Sequence, residues 1–173
     1  MDTKSEVLRA RLIDEPIVEH ILSEKFFKSG IKFMHADKQS DFEGTDIICM
    51  VNGTKKSINV KRNSSQYWNS PNFTLPVDKN NLSCFNNSTM VFIDEVANSL
   101  YVVDSFYILS YIIQHYDNLR VSKNPKKHYI IIPKQAIVEM ISDVPNSIIK
   151  YDNVIAERLA EGRDESKFTQ GRN

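Results

Sequence analysis

Cysteine is scarce: Cys49 and Cys84 alone are too few for a disulfide framework or a four-thiolate zinc site. Cys49 falls in an apolar run and reads as a buried, reduced thiol. Net charge is also missing, because 22 basic and 22 acidic side chains cancel. A chain with no overall basic field is a poor candidate for coating nucleic acid by charge alone, though it can still grip a phosphodiester locally. No window reaches the roughly 18 apolar residues needed to span a membrane, and the charged N-terminus lacks a secretory-type apolar stretch. The expectation is a cytoplasmic protein, in which the Asn-x-Ser/Thr triplets at Asn63, Asn72 and Asn81 carry no meaning. There is no internal repeat, Walker loop, dinucleotide fingerprint, nucleophile elbow or Cys-x-x-Cys pair. The four histidines, His20, His35, His115 and His128, have no metal-ligand spacing. The leading nucleotide-cofactor, serine-hydrolase and thiol-redox classes therefore fall away.

What is present is an ordinary globular composition, 41% apolar and 25% charged over 173 residues. That suits one domain with its own core. Asp14 to Ser29 predicts a helix, with Asp14 as N-cap, Pro16 in the first turn and Ser29-Gly30 as the stop. Ile17, Val18, Ile21, Leu22 and Phe26 form its apolar arc, and a shorter helix using Val7, Leu8 and Leu12 precedes it. Ile31 to Ala36 predicts a strand, and a polar stretch from Asp37 to Gly44 follows. Two β-prone runs then flank Asn52-Gly53, the strongest short-range hairpin signal. Asn63 to Asn87 reads as irregular, with Phe73 to Val77 docking on the body. Met90 to Val96 and Leu100 to Val103 predict a second strand pair. A helix capped by Asp104 or Ser105 runs to about Tyr116, with Ile108, Leu109, Ile112 and Ile113 inward. Tyr129 to Ile132 predicts a buried strand, and Pro133 opens a helix carrying Ala136, Ile137, Met140 and Ile141. Beyond about Ala156 the charged tail reads as frayed or disordered. The class is α/β.

The hairpin makes a geometric statement. With Asn52-Gly53 at the turn, Val51 faces Thr54 and Asp46 faces Asn59, about 5 Å away on the same face. Alternation puts Lys61 on that face too, while Ile47, Ile58 and Val60 point into the core. A carboxylate, an amide and an ammonium thus converge at one end of a β-ribbon.

Gly44-Thr45-Asp46-Ile47-Ile48, the bend, and Ile58-Asn59-Val60-Lys61-Arg62 resemble the active-site ribbon of the PD-(D/E)xK nuclease superfamily. Its members include restriction endonucleases, Holliday-junction resolvases and repair nucleases. The resemblance implies a restriction-endonuclease-like core, a mixed central sheet flanked by helices, over residues 1–155. Its order of helix, three strands, helix and strand matches Asp14 to Ile141. It implies Mg²⁺ or Mn²⁺ as cofactor, DNA more readily than RNA as substrate, and an endonuclease; if the substrate is duplex DNA, two strands need two centres and a homodimer is expected. In that frame Asp46 is the central metal ligand, with the Val60 carbonyl as a further one. Lys61 serves the phosphate and the attacking water. Glu19, beside the apolar arc of the first helix, is the candidate helix acid, with Glu15 in reserve.

The sequence departs from the pattern at Asn59, where the family carries Glu, Asp or Gln. An amide oxygen ligates a cation without adding charge, so metal affinity should fall. Three readings stand open: compensation by Asp41 or Glu43, a binding module that has lost catalysis, or an inactivating Asp→Asn substitution. Lys55, Lys56 and Arg62 form a basic cluster suited to backbone phosphates, although a solvated hairpin tip is the commoner meaning. Arg120, Lys123, Lys126, Lys127 and His128 form a second. Tyr67 and Trp68 follow the ribbon, and Trp68 is a candidate for stacking on an unpaired base.

Overall fold

In the computed structural model, which describes residues 3–36, 46–77, 88–118, 120–121 and 128–164, Asn52 and Gly53 turn the chain with φ of 50° and 78°. A two-residue hairpin needs positive φ at both central positions, which Asn and Gly adopt at least cost. The bend joins β2 (Ile47–Val51) to β3 (Thr54–Lys61), with Val51 opposite Thr54 and Ile47 opposite Ile58. This is the register the sequence implies. β1 (Lys32–His35) pairs antiparallel with β2. On the other side β3 runs parallel to β5 (Ser88–Asp94). β5 pairs with β6 (Ser99–Asp104), and β6 with β9 (Ile148–Lys150). The six strands form one mixed sheet in the order β1-β2-β3-β5-β6-β9. A second sheet has the order β4-β8-β7, from β4 (Asn72–Pro76), β7 (Arg120–Val121) and β8 (His128–Pro133).

Helices cover both faces of the main sheet. On one face Ile17, Val18, Ile21 and Leu22 of α2 (Glu15–Lys25) and Leu159 of α5 (Asn153–Glu161) pack on Ile47, Ile58, Val91 and Leu100. On the other, Phe73 and Leu75 of β4 and Ile130 and Ile132 of β8 meet Met90, Phe92 and Val103. Ile108 and Ile112 of α3 (Ser105–Gln114) and Ile137 and Ile141 of α4 (Lys134–Ile141) complete that layer. Each such aliphatic contributes about 1.5–3 kcal/mol by leaving water. The chain is a mixed α/β fold with helices on both sides of a mixed sheet.

Several expectations are corrected. The first helix begins at α1 (Thr3–Arg9) and passes through a π turn, Ala10–Asp14, into α2. Asp14 is therefore no N-cap: its backbone is helical and its side chain is buried. Pro16 has no N–H to give the preceding turn, and the wider π turn just before it absorbs that loss. Val7, Leu8 and Leu12 face solvent, and the side of α1 that is buried carries Ser5 and Arg9. Ile113 is 66% exposed, whereas Ile108 and Ile112 are buried as expected. Phe73 to Val77 docks as a strand, β4, through a short in-out alternation. Among the described residues, that strand and a 3₁₀ turn occupy the crossover from β3 to β5 where the family order has a helix. The described part of the charged C-terminal segment, to Asp164, includes most of α5, and Leu159 reaches the core.

Candidate active site

Alternation along β3 decides which side chains meet. Ile58 and Val60 share the face of α2, so Asn59 and Lys61 take the other face, beside Met90 and Phe92 of β5. Asp46 precedes β2 by one residue, beyond the last paired position, and its N–H donates at 2.9 Å to the carbonyl of Ile58, the residue that also faces Ile47. Its carboxylate is held at the end of the ribbon, because the Val60 N–H donates to Asp46 Oδ2 at 2.7 Å. A hydrogen bond to a charged oxygen at that length is one of the stronger kind. The N–H and C=O of one strand residue point to the same edge, so the Val60 carbonyl aims toward the Asp46 side. Asn59 is buried at 4% exposure, and Lys61 is half-buried. Asp46 thus meets β3 at Val60, and the two residues that flank Val60, Asn59 and Lys61, share one face of that strand.

Glu19 is not with them. It sits on α2, over the opposite face, and Glu19 Oε2 pairs with His35 Nε2 at 2.9 Å. His35 lies opposite Ile47 in the β1–β2 ladder, which fixes the face. Glu15 is buried on the same helix. Asp41 and Glu43, the candidate compensating acids, lie outside the described residues, as do Gly44, Cys84, Lys123, Lys126 and Lys127.

The basic cluster separates as well. Lys55 and Lys56 are exposed near the hairpin tip on opposite faces, Lys56 opposite Cys49. Arg62 is not a phosphate contact, because its side chain is 2% exposed and its donors are committed. Nη1 meets Asp14 Oδ1 at 2.5 Å, Nη2 meets Glu95 Oε1 at 3.0 Å and also donates to the Leu159 carbonyl, and Nε donates to Glu95 Oε2 at 3.2 Å. Burial works against the Arg62 charge, but Asp14 and Glu95 outweigh it and hold the guanidinium above its ordinary range. Arg163 Nη2 joins at Glu95 Oε1, 2.8 Å away, and Arg9 Nε lies 3.5 Å from Asp14 Oδ2. Trp68 belongs to this assembly: the Arg163 guanidinium covers one face of its ring at 3.7 Å.

Sequence reasoning missed this ionic cluster and a cavity beside it. The cavity, of about 340 Å³, is lined by Glu6, Arg62, Asn63, Ser64, Tyr67 and Thr74. The histidines form no centre: His20 pairs with Glu24, and His115 stacks on Tyr111. Among the described residues no group of three or more His, Cys, Asp and Glu side chains converges. The ribbon end does offer the oxygen donors a hard divalent cation takes, namely a carboxylate, an amide and a carbonyl. Only one of them carries charge.

No protein-family model and no curated protein matches the chain. Solved structures do resemble it, these two among them. One is Hjc, a Holliday junction resolvase from the archaeal hyperthermophile Archaeoglobus fulgidus, with 15% identity and a TM-score of 0.44, covering 80% of this chain and 98% of that one. The other is D212, a nuclease from a fusselovirus, with 11% identity and a TM-score of 0.45, covering 91% of this chain and 92% of that one.

Proposed function

We propose that the chain is a nuclease that hydrolyses phosphodiester bonds in DNA at the Asp46–Asn59–Lys61 end of the β2–β3 hairpin, as a divalent-metal-dependent endonuclease. The observation that supports it most is the Asp46 carboxylate, held by the N–H of Val60, the residue between Asn59 and Lys61. In this reading Asp46, the Asn59 amide and the Val60 carbonyl hold Mg²⁺ or Mn²⁺. The ion, when bound, polarises the phosphate and acidifies an attacking water. Lys61 places an ammonium beside the phosphoryl oxygens, where negative charge builds as the bond to water forms. Met90 and Phe92, beside Asn59 and Lys61 on the next strand, keep bulk water away from one side of these groups. Glu19, tied to His35, takes no part. Cutting both strands of a duplex requires two such centres, so the reading includes a homodimer on duplex substrates.

Asn59 favours a second reading, a nucleic-acid- or protein-binding module on the same fold that takes up no metal. The test is cleavage of plasmid and single-stranded DNA with Mn²⁺, Asn59→Asp beside the given sequence, together with calorimetric metal titration. Asn59→Asp adds a second charge at the ribbon end and is expected to tighten Mn²⁺ binding by about tenfold or more and to raise cleavage. Asp46→Ala should abolish uptake. Absence of cleavage in both proteins, with retained DNA binding and no metal uptake, selects the binding module.

A further inference from the structure

We infer that the cavity at the end of β3 receives one unpaired nucleobase, which directs the enzyme to DNA with unpaired nucleotides rather than to uninterrupted duplex. The inference rests on the nuclease reading above and specifies its substrate class. Three of the cavity residues, Arg62, Asn63 and Ser64, directly follow Lys61 in the chain. Two residues of backbone span at most about 7 Å, so the Asn63 backbone lies within about one nucleotide step of the Lys61 backbone. At about 340 Å³ the cavity lies at the small end of the roughly 300–1,000 Å³ typical of ligand sites. That suits a single base.

The lining chemistry chooses a base over a phosphate. Arg62 is the one cation in the wall, and its charge is already met by Asp14 and Glu95. Glu6 adds a carboxylate from α1, which repels an anion and accepts hydrogen bonds from an exocyclic amino group. Ser64 and Thr74 bring hydroxyls that donate or accept. Tyr67, 59% exposed in the 3₁₀ turn Ser65–Tyr67, offers an aromatic face at the rim. Trp68 has one ring face covered by Arg163, so the stacking role falls to its neighbour. The wall is also fixed before any ligand arrives. Arg9 Nη2 donates to the Asn63 carbonyl at 3.3 Å and Nη1 to Ser65 Oγ at 3.2 Å, while Asn63 Nδ2 donates to the Asn72 carbonyl at 2.8 Å. Extruding a base from an intact helix costs more than extruding a bulged or overhanging one, so a stacking pocket of this kind selects bases already unpaired.

The test uses oligonucleotides carrying 2-aminopurine, a fluorescent base with an exocyclic amino group, at a one-nucleotide bulge or in full duplex. They are bound without metal to the Lys61→Ala protein, so that cleavage does not intervene. The expected result is a fluorescence change and tighter binding for the bulged DNA. Tyr67→Ala and the cavity-filling Thr74→Phe should each weaken bulge binding about tenfold and leave duplex binding unchanged, with the unfolding midpoint as a control for folding. Equal binding of bulged and paired DNA, or variants that affect both alike, overturns the pocket and leaves the nuclease reading in place. Failure to bind either DNA overturns the inference together with the reading beneath it.

Discussion

Lys61 and Arg62 are consecutive, carry the same charge and have opposite environments. Lys61 stands half-buried on the face of Asn59, whereas Arg62 turns toward α5 and disappears into a cluster that joins it to three chain-distant segments. One side of the end of β3 thus leaves a cation half-buried, while the other side of the same end uses one to hold the fold. Substituting each in turn separates the two roles. Arg62→Met leaves the carboxylates of Asp14 and Glu95, 2% and 4% exposed, without their main counter-charge. That should cost about 3–5 kcal/mol of stability in urea denaturation. Lys61→Met should change stability by no more than about 0.5 kcal/mol and lower cleavage by about 10²–10³-fold, the scale set by losing one charge-stabilising donor. A stable Arg62→Met protein would mean that the cluster is not structural. A fully active Lys61→Met protein would remove the chemistry from this face.

The Lys61 side of this contrast was legible in the sequence and the Arg62 side was not. Asn52-Gly53 fixes a bend, the bend fixes a register, and the register with strand alternation assigns Asp46, Asn59 and Lys61 to one face. All of this is local. The partners of Arg62 lie 48 and 33 residues away, and nothing near Arg62 distinguishes it from a surface arginine. The position of Glu19 was misread for a related reason. A helical wheel places it beside the apolar arc, but which face of the sheet that arc covers is a tertiary fact, settled by Ile17 to Leu22 packing on Ile47 and Ile58. β4 left a fainter trace: Phe73-Thr74-Leu75 alternates as a strand should, within a stretch whose Asn, Ser and Pro content reads as loop. The cavity beside β3 has walls from α1, β3, the 3₁₀ turn and β4, and no single segment announces it.

Another ionic pairing, at the end of β5, differs from the Arg62 cluster in how it responds to acid. Asp94 Oδ1 receives Lys134 Nζ at 2.8 Å, and Oδ2 accepts from the Tyr101 hydroxyl at 2.5 Å. Burial pushes the Asp94 carboxyl up, but these hydrogen bonds and the Lys134 charge outweigh it and hold it below the ordinary carboxylate range. A carboxyl lowered in the folded state binds its proton more readily when unfolded. Its stabilisation is therefore complete above the unfolded value of about 3.9 and is lost as pH falls through the folded one. Asp94→Asn removes that titration. The acid limb of stability, measured by chemical denaturation between about pH 2 and pH 4, should flatten by up to one proton, or about 1.4 kcal/mol per pH unit. An unchanged slope would assign the acid sensitivity to other carboxyls.

The smallest expected effect probes how firmly the ionic cluster is held. Gly162 closes α5 with φ of −65°, a conformation any residue adopts. Alanine there would normally gain about 0.4–1 kcal/mol by restricting the unfolded chain. A Cβ at Gly162 would, however, stand 3.1 Å from Arg62 Nη1, 3.2 Å from Ile13 Cδ1 and 3.2 Å from the Leu159 carbonyl. Relief requires one of these to move by a few tenths of an ångström. The guanidinium is fixed by Asp14 and Glu95 and by its bond to the Leu159 carbonyl, so the usual freedom of an arginine tip is absent. Gly162→Ala should therefore lose about 1 kcal/mol net by overpacking, and combining it with Arg62→Met should remove that penalty, because the two sites share the contact. A gain in the single variant would show that Arg62 yields, and the difference between the two cations at the end of β3 would then be one of burial without rigidity.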